Sequence, residues 1–119
     1  MYLVRVEADF AAAHFLKHYH GKCENLHGHN YKVRVWARGE SLDQGGMLLD
    51  FGELKSALRA VLGRFDHSLL NDERAFDDDP SAERIAELIF KALAARLPGA
   101  PLHAVEVFET ETSMARYEP

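Results

Sequence analysis

Two stretches of this chain alternate apolar and polar residues with a period of two, and that alternation restricts the fold more than any other feature. From Tyr2 to Ala13, Val4, Val6, Ala8, Phe10 and Ala12 fall on one side and Arg5, Glu7 and Asp9 mostly on the other; His14 keeps the parity of the apolar side. From about Leu26 to Arg38 the alternation is cleaner, with His27, His29, Tyr31, Val33, Val35 and Ala37 together, opposite Asn30, Lys32, Arg34 and Arg38. Successive side chains of an extended chain point to opposite faces, so both stretches read as strands with one face toward a core. Trp36 falls on the polar side, which argues for some cover there too.

The period changes in the middle of the chain. Asp50 and Glu53 have capping-box spacing, and Leu54, Ala57, Leu58, Val61, Leu62 and Phe65 follow at helical intervals. After an acidic loop ending at Asp79-Pro80, a second helix is predicted from about Ser81 to Leu97. Ile85, Leu88, Ile89, Ala92 and Leu93 form its stripe, and Pro98-Gly99 is its stop. Leu102 to Glu111 and Ser113 to Glu118 read as two further strands. The order ββααββ implies an α+β fold, a four-stranded antiparallel sheet with both helices on one face. The other face is expected to carry apolar side chains that 119 residues cannot cover, so burial against further copies of the chain is expected.

Composition narrows the functional classes. Fourteen basic against nineteen acidic side chains, a net charge of −5, argue against a nucleic-acid-binding surface. No apolar run approaches the roughly 20 residues that span a bilayer, and the N-terminus lacks the order of a signal peptide. With one cysteine, no intrachain disulfide can form. A single cytoplasmic domain over residues 1–119, in a reducing compartment, is the expectation. Seven histidines stand out in a chain of this size.

His27 and His29 stand two apart on a strand, so their rings project from one face about 6.5 to 7 Å apart along the chain. Both can reach one metal ion, and His14 on the neighbouring strand could add a third nitrogen. Three neutral imidazoles around Zn2+ leave a fourth position open, as in a catalytic site. Partly buried histidines satisfied by backbone carbonyls would give the same spacing. His18 and His20 lie in a loop and read as surface or rim histidines. Cys23, four residues before His27 among polar neighbours, is a usable base or nucleophile if a cation is near, or else a small buried hydrophobe. Asp66-His67 offers a carboxylate and an imidazole after the first helix, for a proton relay or for the helix C-terminus. Glu109 follows Val105 and Val107 on one strand face. It could bind a ligand's paired N–H groups, or reach solvent.

These segments resemble a known family. Phe10-Ala11-Ala12-Ala13-His14, Cys23-Glu24-Asn25-Leu26-His27-Gly28-His29-Asn30-Tyr31, Asp66-His67-Ser68-Leu69-Leu70-Asn71, Asp79-Pro80-Ser81-Ala82-Glu83 and Glu109-Thr110 are similar, in order, to the 6-pyruvoyl-tetrahydropterin synthase / 6-carboxy-tetrahydropterin synthase family. The resemblance implies the tunnelling fold, trimerising into a barrel and pairing into a homohexamer with sites between subunits. It implies zinc on His14, His27 and His29, Cys23 as proton-abstracting base, Asp66 and His67 as its relay, and Glu109 as anchor of the pterin ring. The substrate would be 7,8-dihydroneopterin triphosphate. The three residues between Cys23 and His27 resemble the 6-carboxy-tetrahydropterin synthases of queuosine biosynthesis, which release acetaldehyde and triphosphate. The 6-pyruvoyl synthases usually have a longer insert. Glu24, with His27 and His29, also fits a folate-route branch that makes 6-hydroxymethyl-dihydropterin, so Glu24 is a further substrate-site candidate. Serine at position 81 replaces the family's commoner threonine. Lys17, Lys22 and Arg116 are candidates for the triphosphate by charge alone.

Overall fold

The computed structural model describes the backbone of residues 1–119 and every side chain except that of Cys23. The alternating stretches form two long strands, β1 (Tyr2–His14) and β2 (His27–Gly39). They pair antiparallel from Tyr2 opposite Gly39 to His14 opposite His27. Helix α1 (Phe51–Leu62) begins where the Asp50 carboxylate accepts the Gly52 N–H at 2.7 Å. After β3 (Ser68–Leu69), helix α2 (Ala82–Arg96) begins at Ser81, whose hydroxyl accepts the Arg84 N–H at 3.2 Å. Strands β4 (Leu102–Thr110) and β5 (Ser113–Tyr117) complete the sheet, in the order β3-β1-β2-β4-β5. No helix is long and apolar enough to cross a membrane.

The sheet therefore has five strands and is mixed, not four-stranded and antiparallel. β3 runs parallel to β1 beside Ala12 and Ala13. Its cause is local. The backbone N–H of His67, in the left-handed region at φ 58, donates to the Ala11 carbonyl at 2.6 Å, and the Asp66 carboxylate accepts the Ala11 N–H at 3.0 Å. These bonds lay the chain against the free edge of β1 for two residues, until buried Leu70 turns into the core.

Both helices lie on the sheet face that carries Val6, Phe10, Tyr31, Val33, Val35, Val105 and Val107, all buried. Leu54, Leu58 and Val61 from α1 and Ile85, Ile89 and Leu93 from α2 close over them. Phe10 stacks on Tyr31 with ring centroids 4.7 Å apart. Phe65 is buried as its spacing suggested, but it follows the helix end at Gly63 and packs between Phe10 and Phe76.

The opposite face departs from expectation. It is largely charged, and several of its charges are paired. Arg34 donates to Glu7 at 2.7 Å and lies over the Phe108 ring. Glu106, only 7% exposed, accepts from Trp36 Nε1 and from Arg116 Nη1, both at 2.9 Å. Trp36 is covered by the guanidinium groups of Arg5 and Arg116. Arg116 is thus committed to Glu106 and Glu118.

Candidate metal centre

The apolar row of β2 runs down its helix-side face to Tyr31 and continues as His29 and His27. Opposite them the row of β1 ends in His14, because the register sets Ala12 against His29 and His14 against His27. Three imidazoles thus leave one face at the same end of two paired strands. Their centroids stand 4.5 Å (His14–His27), 5.0 Å (His14–His29) and 4.9 Å (His27–His29) apart. One nitrogen from each lies within 4.8 Å of the other two. Tyr31 floors the group, its ring edge-on to His14 and His29.

The protonation pattern follows from the neighbours. His14 Nδ1 lies 2.8 Å from the Pro80 carbonyl oxygen, and His27 Nδ1 lies 2.7 Å from that of Asn25. A carbonyl only accepts, so both Nδ1 atoms carry a proton, and the neutral form of each ring has its lone pair on Nε2. His14 Nε2 and His29 Nε2 are buried and have no hydrogen-bond partner among the described residues. Burial pushes the pKa of both histidines down. The Pro80 carbonyl (for His14) and Glu109 (for both) oppose it, while the neighbouring imidazoles reinforce it. Neutral imidazoles with orphaned, converging lone pairs are the state a cation requires. Left unmade, each such buried contact costs roughly 1–3 kcal/mol. His14, His27 and His29 can therefore hold a metal ion.

Glu109, at the end of β4, faces the same group. Its Oε1 stands 3.9 Å from His14 Nε2 and its Oε2 4.0 Å from His29 Nε2. The carboxylate does end an apolar row, and it ends beside the histidines. Burial, and secondarily Glu109, push the Tyr31 hydroxyl far above its usual range.

The other residues singled out in the sequence sit on segments of their own. Cys23 occupies a short 3-10 turn, Lys22–Glu24, and its side chain is outside the described set. Glu24 is half exposed, 3.5 Å from His20 Nδ1. Asp66 and His67 do meet, Oδ1 to Nδ1 at 3.1 Å. The Ala11 N–H, then His67, hold the Asp66 carboxyl below the usual range. However, His67 is exposed, on a surface formed with Ala11, Ala12, Ala13, Gly28, His29, Asn30 and Ser68. His29 borders that surface, but no hydrogen bond or ion pair joins Asp66 or His67 to the three imidazoles among the described residues.

Sequence reasoning missed what supports the ligands. Two backbone carbonyls, at Pro80 and Asn25, orient two of the rings, and no side-chain pattern encodes that. Asn71 and Asp79 were visible only as parts of motifs. Both bind the loop that leaves β1.

The sequence profile of the 6-pyruvoyl tetrahydropterin synthase family matches residues 3–119. A 6-carboxy-5,6,7,8-tetrahydropterin synthase of Synechocystis is 42% identical, over 98% of this chain and 93% of that protein. One from Bacillus subtilis is 38% identical, over 95% of this chain and 82% of that protein. The solved 6-pyruvoyl tetrahydropterin synthase of Caenorhabditis elegans superposes with a TM-score of 0.87 at 32% identity, covering 100% of this chain and 97% of that one. Sequence profile, relatives and fold agree, and the chain belongs to the 6-pyruvoyl tetrahydropterin synthase family.

Proposed function

We propose that this chain is a zinc-dependent 6-carboxy-5,6,7,8-tetrahydropterin synthase, a lyase converting 7,8-dihydroneopterin triphosphate and water to 6-carboxytetrahydropterin, acetaldehyde and triphosphate. The observation that carries the reading is the trio of histidines, two of whose buried Nε2 atoms have no partner among the described residues. The names of the Synechocystis and Bacillus subtilis relatives, and the three residues between Cys23 and His27, support this product over the 6-pyruvoyl one.

His14, His27 and His29 would hold the zinc, which supplies Lewis acidity toward the hydroxyls of the substrate side chain and so acidifies the adjoining C–H bonds. Cys23 takes the proton from carbon, and its thiolate is favoured beside a cation. Glu109 presents a carboxylate to the ring N–H and amino groups of the pterin, a fork that fixes the ring while the side chain reacts. Asp66 holds His67 through one oxygen and the backbone of β1 through the same carboxylate, so the imidazole stays aimed for proton relay. The pair has no bond to its own chain's histidines among the described residues, and in this reading it serves the site of a neighbouring copy. The reading thus includes a cytoplasmic homo-oligomer, a hexamer built as a dimer of trimers, with sites between subunits.

One feature favours a second reading. Glu24 places a carboxylate directly after Cys23, and a carboxylate base there would give 6-hydroxymethyl-dihydropterin for the folate route, alone or alongside the carboxy product. Incubation of zinc-loaded protein with 7,8-dihydroneopterin triphosphate separates the readings by product. Cys23→Ala should abolish the carboxy product with zinc content unchanged, and Glu24→Ala should leave that product largely intact. Loss of the product in Glu24→Ala would transfer the role of base to the glutamate.

A further inference from the structure

The run Asp77–Pro80 has the composition of a solvated acidic loop, yet Asp78, Asp79 and Pro80 each bond the last residue of β1 or the residues just after it. The Pro80 carbonyl meets His14 Nδ1. The Asp78 carbonyl accepts from the Lys17 N–H at 3.4 Å and from Asn71 Nδ2 at 3.2 Å. The Asp79 carboxylate accepts the His18 N–H at 3.0 Å through Oδ1, and its Oδ2 meets the His18 ring at Nδ1. Asn71 completes the arrangement, accepting the Phe15 N–H at 3.0 Å and donating to the Phe15 carbonyl at 2.9 Å.

Such a layout needs an unusual backbone. Asp77 and Asp78 are consecutive left-handed residues, at φ 51 and 61. That conformation is uncommon for any residue with a side chain, and aspartate is among the few that tolerate it. The reversal turns the Asp78 carbonyl, the Asp79 carboxylate and the Pro80 carbonyl toward residues 14–18. Those residues leave β1 after a histidine of the metal trio and lead into the turn that carries Cys23 and Glu24. Backbone groups of Phe15, Lys17 and His18 outside any strand or helix are satisfied by this strap.

We propose that Asp79 and Asn71 are positioning residues for the reaction, which strap residues 15–18 in place and so set the approach of the Cys23–Glu24 turn to the metal trio. This rests on the reading of Cys23 as a base beside a bound ion. Asn71 suits the task because one amide both accepts from and donates to a single residue's backbone, as a neighbouring strand would; alanine does neither. Asp79 grips one residue by backbone and side chain together. Asparagine at position 79 keeps an acceptor for the His18 N–H, so it should rescue what alanine loses.

The chain has one cysteine, which makes thiol chemistry a single-site readout. The rate of alkylation by iodoacetamide at pH 7 is measured with zinc and with chelator, in wild type, Asp79→Ala, Asp79→Asn and Asn71→Ala. Zinc should raise the wild-type rate about tenfold, the effect of one pKa unit on thiolate content. In Asp79→Ala and Asn71→Ala that ratio should fall below about twofold, while Asp79→Asn keeps most of it. Zinc should remain bound at one per chain in all four, and turnover by the alanine variants should lose kcat with KM little changed. An undiminished ratio in both alanine variants overturns the proposal alone. Loss of zinc from them also overturns it, since the strap would then support the ligands instead of the loop. A wild-type rate indifferent to zinc overturns the reading of Cys23, and the proposal with it. If Asp79→Ala fails to fold, Asn71→Ala and the rescue by Asp79→Asn decide.

Discussion

Replacing His14 with leucine separates what its ring does for the fold from what it does for a metal. His14 is 1% exposed, with Nδ1 bonded to the Pro80 carbonyl and Nε2 unpartnered among the described residues. Without metal, leucine removes one orphaned buried acceptor and strands one buried carbonyl, changes of about 1–3 kcal/mol each and of opposite sign. The metal-free variant should therefore stay within about 1 kcal/mol of wild type. Metal acts only on the intact trio. Zinc at a hundredfold excess over its dissociation constant stabilises the folded state by about 2.7 kcal/mol. An unfolding entropy of about 2.1 cal/mol/K per residue gives about 0.25 kcal/mol/K for 119 residues, so Tm should rise by about 11 °C. Thermal melts followed by circular dichroism, with chelator and with zinc, read both quantities. His14→Leu should melt within about 4 °C of wild type in chelator and shift by less than about 2 °C on adding zinc. A full zinc shift in the variant would refute His14 as a ligand. A loss of more than about 12 °C in chelator would refute the claim that its buried ring is poorly satisfied without metal.

Other perturbations follow from the same structure. Phe65→Ala, which empties the site between Phe10 and Phe76, should cost about 3–5 kcal/mol in urea titration; a loss under 1 kcal/mol would mean the core collapses into the gap. Trp36→Phe leaves nearly buried Glu106 with Arg116 alone and should cost about 1.5–3 kcal/mol, so an unchanged unfolding midpoint would show that water replaces the indole N–H. His18 holds the Asp79 carboxyl below its usual range, so its contribution to stability is complete above the unfolded value and is lost as pH falls through the lower folded one. The stability difference between wild type and Asp79→Asn should therefore hold from pH 7 to about pH 4 and close below it. Closure already between pH 7 and 5 would assign the effect to another group.

The alternation of β1 and β2 placed both strands within a residue or two of their observed ends, because one face of each is buried or half-buried over most of its length and a slip would expose it. The histidines were legible for the same reason: they continue an apolar row, so the pleat that buries Val33 and Tyr31 also aims His29 and His27. Glu109 obeys the same rule on β4. What depends on backbone reversals was not legible. β3 is held by bonds from Asp66 and His67 to Ala11, and no periodicity announces a two-residue ladder. The burial of Glu106 under Trp36 and Arg116 is a property of three strands together, which no single stretch of sequence announces. The acidic run at 77–80 reads as solvent-facing by composition. Its left-handed residues make it a support for the histidine site.

Zinc K-edge X-ray absorption on protein purified with its own metal tests the centre most directly. One zinc per chain is expected, with three nitrogen scatterers at about 2.0–2.1 Å and no sulfur at about 2.3 Å. A sulfur scatterer would make Cys23 a ligand instead of a base, and purified protein free of zinc would remove the ion on which the proposed chemistry depends.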